Sequence, residues 1–139
     1  METVKSEITL LAPVEKVWAY FSEPHHVQKW FFAMKDWRCA RALNELREGG
    51  SFSYRMENKD GSYSYDFVGT IDSVTPMEKI LSTLNDGRNL EFHFEKKDET
   101  TTQFIMIFEP ETKNTRESQK RFWDIVLCNF EKYVENAPS

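Results

Sequence analysis

Apolar and polar residues alternate along the first stretch of the chain, where Ile8 and Leu10 are separated by Thr9. A period of two is typical of a half-buried β-strand, and it predicts a strand from about Val4 to Leu11. The same alternation returns between Asp36 and Glu109, interrupted by hairpin-length turns, which is the pattern of an antiparallel meander. The further predicted strands are residues 37–43, 51–58, 63–74 and 80–84, a stretch around 90–95, and 101–108.

Apolar residues switch to helical spacing in three places. Pro13 and the apolar face that follows it predict a short helix, and Pro24 begins a second helix directly after it. A long helix is predicted from about Thr115 to Asn136, with Asn114 as its N-cap. Its apolar stripe is wide and must be buried against a large surface, for which the aromatic face of the sheet is the only candidate. The stripe comprises Phe122, Trp123, Val126, Leu127, Phe130 and Val134.

Aromatic residues make up 14% of the chain, a share that predicts either an unusually aromatic core or a cavity lined by rings. A helix laid across the concave side of a twisted sheet touches it mainly along one seam, so we expect room for a pocket beside that seam. Tyr54 and Tyr65 are its best polar candidates, because a buried hydroxyl needs a partner that a ligand could supply. Plain core packing explains the same inward pattern, and both interpretations stay open. The predicted ligand-binding residues are Trp30, Phe52, Tyr54, Tyr65, Phe67, Phe92, Phe94, Phe104, Met106, Trp123 and Leu127.

Charge and cysteine content narrow the classes of partner and compartment. A net charge of -5 without a basic block argues against nucleic acid and anionic membrane surfaces, which select clusters of Lys and Arg. No apolar run approaches the roughly 18 residues of a membrane-spanning helix. The N-terminal segment lacks the apolar core of a secretion signal, and Cys39 and Cys128 have neither disulfide-like nor metal-like spacing. We therefore expect a cytoplasmic protein with reduced, buried and unreactive thiols.

Residue types with catalytic or metal-binding potential are few, and they form no recognisable motif. His25 and His26 follow Glu23, but a solvated helix face is the simpler interpretation, since adjacent histidines do not easily share one ion. Arg41 has the strand parity of Cys39, so it either faces the cavity or covers its rim. We predict no catalytic residues, no metal ligands and no cofactor.

The predicted order of elements resembles the helix-grip fold of the START-like superfamily, also called Bet v 1-like or SRPBCC. The superfamily's opening is similar to ITLLAPVEKVWAYFSEPHHVQKW, with Ala-Pro after the strand and a Trp closing the second helix. The segment LREGGSFSYRMENKDGSYSYDFVGTIDSVTPMEKI resembles the middle of a bacterial branch of this superfamily. That branch is related to the C-terminal domain of the activator of heat-shock-protein-90 ATPase. The likeness continues through NDGRNLEFHFEKKDETTTQFIMIFEPE and SQKRFWDIVLCNFEKYVEN, and it covers about Ser6 to Asn136.

The resemblance implies one α+β domain over residues 1–139, with a core at about 4–136. A curved antiparallel sheet of about seven strands would grip the last helix, with two short helices between the first two strands. The resemblance also implies binding of a small hydrophobic or aromatic molecule between sheet and helix. Two alternatives stay open: an enzyme of the polyketide cyclase or aromatase type, and a protein-interaction domain with a chaperone partner. The family often has Gly-Trp where this chain has Phe122-Trp123, so we expect the extra ring to occupy part of the pocket.

Overall fold

The structure is a computed structural model that describes residues 2–136, and its elements follow the predicted order. Residues 1 and 137–139, the ends of the predicted domain, lie outside this part of the chain. The elements are β1 (Val4–Leu10), α1 (Val14–Ser22), α2 (Pro24–Val27), β2 (Trp37–Asn44), β3 (Ser51–Asn58), β4 (Ser64–Thr75), β5 (Lys79–Leu84), β6 (Asn89–Asp98), β7 (Thr101–Phe108) and α3 (Arg116–Asn136).

The described strands form a single antiparallel sheet in the order β1-β7-β6-β5-β4-β3-β2. Only β1 departs from the meander, because it pairs with the last strand instead of the next one. The sheet curls into a half-barrel, α3 lies along its concave side, and α1 and α2 connect β1 to β2. This arrangement confirms the predicted helix-grip architecture.

Irregular pairing in three strands bends the sheet and changes which side chains face inward. In β2 the register slips between Cys39 and Arg41, and such a bulge reverses the alternation beyond it. Cys39 is therefore buried while Arg41 is exposed. The inward orientation considered for Arg41 is wrong, because it assumed an unbroken strand. Similar slips occur in β4 and β6.

The start of α3 differs from the prediction by one residue. The Oγ1 atom of Thr115 accepts a hydrogen bond from the backbone N–H of Ser118 at 3.1 Å, so Thr115 rather than Asn114 caps the helix. Asn114 instead donates through its backbone and side-chain nitrogens to the two carboxylate oxygens of Glu111, at 2.6 and 3.1 Å. These two hydrogen bonds fix the loop between β7 and α3.

The second helix is shorter than its apolar pattern predicts. It is a single turn that ends at Val27, and Trp30 follows it in a turn with its side chain fully buried. The indole N–H of Trp30 donates to the backbone carbonyl of Tyr20 at 3.0 Å. Trp30 thus ties the end of the helix pair to α1 while its ring enters the core.

Gly69 allows two strands to come together on the concave face. A Cβ atom at this position would lie 2.6 Å from Cζ of Phe52 and 2.8 Å from the backbone carbonyl oxygen of Thr83. Phe52 is paired directly with Gly69 across β3 and β4. The ring therefore occupies the space that any side chain at position 69 would need.

We expect Gly69→Ala to lower the free energy of unfolding by about 1–3 kcal/mol, because the added methyl group overpacks this contact. Chemical denaturation monitored by circular dichroism measures the loss. Thr70→Val is the matched control, since Thr70 is exposed on the opposite face, and it should change stability by less than about 0.5 kcal/mol. Equal losses of stability in the two variants would show that the close contact between position 69 and Phe52 does not determine the effect of Gly69→Ala.

Candidate functional site

One half of the space between α3 and the sheet is filled by aromatic rings. Phe130 of α3 is fully buried, with its ring centroid 4.5 Å from that of Trp30 and 5.4 Å from that of Phe104. Phe21 of α1 joins the same cluster, with its centroid 5.1 Å from that of Phe104. These contacts leave no room for a ligand, so this half of the interior is packed core.

The other half, beside the first turns of α3, contains a cavity of about 500 Å³ that opens to solvent. We call it the α3 cavity. Its volume lies within the range of roughly 300–1,000 Å³ typical of small-molecule sites. It is lined by Ala33, Met34, Trp37, Met56, Tyr65, Phe67, Leu84, Arg88, Met106, Phe108, Glu111, Asn114, Ser118, Gln119, Phe122 and Trp123.

The inner walls of the α3 cavity are apolar. Met106 and Phe108 of β7 are buried and line it from the sheet. Trp123 of α3 closes one side, with its ring centroid 5.2 Å from that of Phe67. Phe122 stands edge-on to Trp123 at 5.0 Å and forms part of the wall. The ring of Phe122, which we expected to occupy part of the pocket, therefore borders the cavity without filling it.

Polar groups contribute to the same cavity from two turns and the start of α3. Arg88 donates from Nε to the carboxylate of Asp86 at 2.7 Å and from Nη1 to the carbonyl oxygen of Glu109 at 3.2 Å. Gln119 holds the loop before α3, since its side-chain amide donates to the carbonyl oxygen of Glu111 at 3.0 Å. Glu111 in turn is bound by Asn114, as described above. The cavity thus combines apolar walls with fixed polar groups.

Tyr65 borders the cavity but is 49% exposed, so the expectation of a buried tyrosine is wrong for Tyr65, whereas Tyr54 is buried. Partial burial raises the pKa of the Tyr65 phenol, with a smaller opposing effect from the positive charge of Arg88, while the negative charges of Asp86 and Glu111 raise it further. The hydroxyl therefore stays protonated at neutral pH, where it can donate or accept a hydrogen bond.

The predicted ligand-binding residues fall into three groups in the structure. Four of the eleven line the α3 cavity: Tyr65, Phe67, Met106 and Trp123. Three others, Phe52, Tyr54 and Phe92, border a second space of about 20 Å³, which holds no more than a water molecule. The remaining four, Trp30, Phe94, Phe104 and Leu127, belong to the packed core. Whether any of them contacts a ligand stays a prediction.

Sequence reasoning missed the polar part of the cavity. Arg88 follows the turn at Gly87, and Glu111 lies in the irregular loop between β7 and α3, so neither belongs to a periodic pattern that reveals its direction. Met34 also lies in an irregular segment, and its side chain is largely exposed at the cavity. The charged residues near the turn Asn85-Asp86-Gly87 were the only feature of the sequence that could have indicated these polar groups.

The two cysteines occupy different environments. Cys39 is buried, and that burial raises the pKa of its thiol to about 11. Cys128 is exposed on α3, so the expectation that it is buried is wrong: the helical pattern places it one residue beyond the apolar stripe. Tyr54 lies near Cys39, and the pKa of its phenol is raised mainly by burial and additionally by the charge of the Cys39 thiolate.

The fold and the cavity together define a helix-grip protein with an internal pocket beside the first turns of its long helix. The profile of the family described as "Activator of Hsp90 ATPase homolog 1-like protein" matches residues 11–135. The chain therefore belongs to this family. Among curated proteins, none matches the chain.

Solved structures agree with this assignment. A protein from Cytophaga hutchinsonii is 40% identical with a TM-score of 0.82, and the match covers 96% of this chain and 92% of that one. The AHSA1-like protein from Aeromonas hydrophila is 27% identical with a TM-score of 0.89, and 99% of each chain is covered. The Aha1 dimer from Colwellia psychrerythraea shares the fold at 14% identity, with a TM-score of 0.74 and full coverage of both chains.

Within residues 2–136, no helix combines the length and hydrophobicity that crossing a bilayer requires.

We expect the packed half and the open half of the interior to differ in sensitivity to truncation. Phe130→Ala should cost about 3–5 kcal/mol of stability, because it leaves a cavity among fully buried rings. Trp123→Ala should cost about 1–3 kcal/mol, because Trp123 already borders solvent-accessible space. Urea denaturation of both variants measures the difference. A loss for Trp123→Ala as large as that for Phe130→Ala would contradict the division of the interior into two halves.

The cysteine environments predict one fast-reacting thiol per folded chain. At pH 8 the aromatic disulfide reagent DTNB should modify Cys128 and leave Cys39 unmodified, since the thiolate is the reactive form and Cys39 is buried with a raised pKa. Unfolding in guanidinium should release the second equivalent. Cys128→Ser should abolish the fast phase, whereas Cys39→Ser should leave it intact.

Proposed function

We propose that the protein binds a small molecule with an apolar body and a polar end in the α3 cavity. The observation that carries this proposal is the composition of the cavity: about 500 Å³ of space bordered by buried apolar side chains and by fixed polar groups. Sites for small molecules combine these two features, because the apolar walls supply binding energy and a few polar groups set orientation.

The apolar walls favour a ligand that removes its own apolar surface from water. Met56, Phe67, Met106 and Phe108 are all buried and border the cavity. Each Å² of apolar surface that a ligand buries against them contributes roughly 25 cal/mol. Because Trp123 and Phe122 present ring faces and edges, an aromatic or aliphatic body fits this wall equally well.

The polar groups favour a ligand end that accepts hydrogen bonds. The guanidinium of Arg88 has five N–H donors, and the contacts to Asp86 and Glu109 engage two of its nitrogens. Its other donors, together with the phenol of Tyr65, supply hydrogen bonds to a carbonyl, hydroxyl or carboxylate group on the ligand. Asp86 forms an ion pair with Arg88 at 2.7 Å and balances its charge, so the site does not require an anion.

The cavity also bears on the two alternative functions. A cyclase needs a titratable group directed at its substrate, and Glu111 is the carboxylate that borders the cavity. Its oxygens accept hydrogen bonds from Asn114, which favours a role in shaping the loop over proton transfer. A chaperone partner would use exposed apolar side chains. Met34 and Tyr65 are exposed but border the cavity, whereas others, such as Leu11, Leu43 and Tyr63, are exposed outside it in separate parts of the chain. Ligand binding accounts for more of the arrangement than either alternative.

The proposal predicts that filling the cavity abolishes binding. We expect the purified protein to bind the fluorescent probe 8-anilinonaphthalene-1-sulfonate, which has an apolar body and an anionic end. Met106→Trp places an indole ring, which is larger than the methionine side chain, in the cavity. This variant should bind the probe at least 10-fold more weakly. Fluorescence titration measures the affinity, and native mass spectrometry before and after denaturation detects any molecule that copurifies.

The matched control is Ile107→Trp, which introduces the same ring one residue later on β7, where the side chain points to the other face of the sheet. This variant should bind the probe like the original protein. Equal binding by all three proteins would place the probe outside the cavity and contradict the proposal. Absence of both probe binding and a copurifying molecule would favour an interaction domain instead.

A further inference from the structure

A second cluster of chemically active side chains lies where α1 meets α2, away from the α3 cavity. Glu23, His25 and His26 each present a potential ligand atom, and these atoms all lie within 4.8 Å of one another. Nε2 of His25 is 3.8 Å and Nε2 of His26 is 4.0 Å from Oε1 of Glu23. We call these residues the helix-corner cluster. None of them lines the α3 cavity.

The ring of His26 is held in place by α1 and α3. Its Nδ1 lies 2.7 Å from the hydroxyl of Tyr133, and its ring stacks on that of Tyr20 with centroids 4.0 Å apart and an interplanar angle of 14°. These contacts orient Nε2 toward Glu23. The side chain of His26 is 18% exposed, whereas those of His25 and Glu23 are 70% and 50% exposed. The cluster is therefore anchored on one side and open to solvent on the other.

We propose that the helix-corner cluster binds a divalent transition-metal ion of the zinc class, with Glu23, His25 and His26 as its protein ligands. Imidazole nitrogens and a carboxylate oxygen are donors that zinc prefers, and water would complete a tetrahedral shell. Ligand atoms at the usual distances from zinc are roughly 3.3 Å apart in that geometry. The observed separations from Glu23 are 3.8 and 4.0 Å, and all three potential ligand atoms lie within 4.8 Å of one another. Metal binding would therefore require the exposed side chains of His25 and Glu23 to move closer to His26.

The contact between His26 and Tyr133 supports this assignment. Zinc ligands of the histidine type commonly donate from their second ring nitrogen to an oxygen acceptor, which orients the ring and selects its tautomer. In the tautomer with its proton on Nδ1, His26 donates to the Tyr133 hydroxyl oxygen, and Nε2 has a free lone pair for the metal.

The proposal departs from the expectation of no metal ligands, because the potential ligand atoms of the two adjacent histidines and Glu23 all lie within 4.8 Å of one another. The third histidine of the chain, His93, provides an internal comparison. Its Nε2 lies 2.8 Å from the carboxylate of Glu91, but within residues 2–136 the helix-corner cluster is the group of three or more His, Cys, Asp or Glu side chains that can surround one ion. His93 therefore forms a pair without a third ligand.

The experiment is a zinc titration by isothermal calorimetry on protein without an affinity tag. All variants are made in a Cys128→Ser background, because the exposed thiol of Cys128 is itself a zinc donor. We expect one equivalent of zinc to bind, and His26→Ala and Glu23→Gln each to weaken binding at least 10-fold. Tyr133→Phe should weaken it about 10-fold, which is the usual effect of losing the partner of a metal-bound histidine.

His93→Gln is the matched control and should leave the affinity unchanged. Thermal denaturation provides a second measurement, since a ligand that binds only the folded chain raises its melting temperature. Binding that survives Glu23→Gln and Tyr133→Phe but is lost in His25→Ala would identify a single exposed imidazole and overturn the proposal. Absence of zinc binding, or binding that depends on His93, would overturn it as well.

Discussion

The contact of Phe130 with Trp30 and Phe104 is the interaction on which the rest of this structure depends. It joins the long helix, the short helix pair and the sheet at one fully buried point. A straight helix of 21 residues cannot follow a sheet that curls into a half-barrel. Where α3 packs closely on the sheet at one point, the helix and the concave face of the sheet therefore separate at other points along the helix. Because the aromatic cluster fixes α3 at Phe130, the separation appears toward the N-terminal turns of the helix, where the α3 cavity lies.

The loop before α3 turns this separation into a site with polar character. Residues between the last strand and the helix must satisfy their own backbone groups, and here Glu111, Asn114 and Gln119 do so among themselves. The same hydrogen bonds bring a carboxylate and an amide to the cavity. The hydrogen bonds that stabilise the loop are therefore the same ones that hold its polar groups at the cavity. This is why the polar groups and the apolar walls meet beside the N-terminal end of α3.

Periodic patterns predicted the helix-grip fold because each strand and helix shows its own buried face. The bounds of β3 and β7 follow directly from alternation, and the apolar stripe of α3 contains its buried residues. The same patterns could not separate cavity from core, since Phe67 and Phe104 both face inward and differ only in which half of the interior they occupy. Arg41 shows a second limit, because the bulge in β2 has no signal in the alternation.

Phe122 shows how one side chain limits the cavity without belonging to the fully buried aromatic cluster. Its ring packs edge-on against Trp123 and lines the cavity together with Glu111. A ring at the first turns of α3 narrows the site without entering the fully buried cluster around Phe130. The volume of the cavity is thus limited in part by a side chain outside the cluster that joins α3 to the sheet.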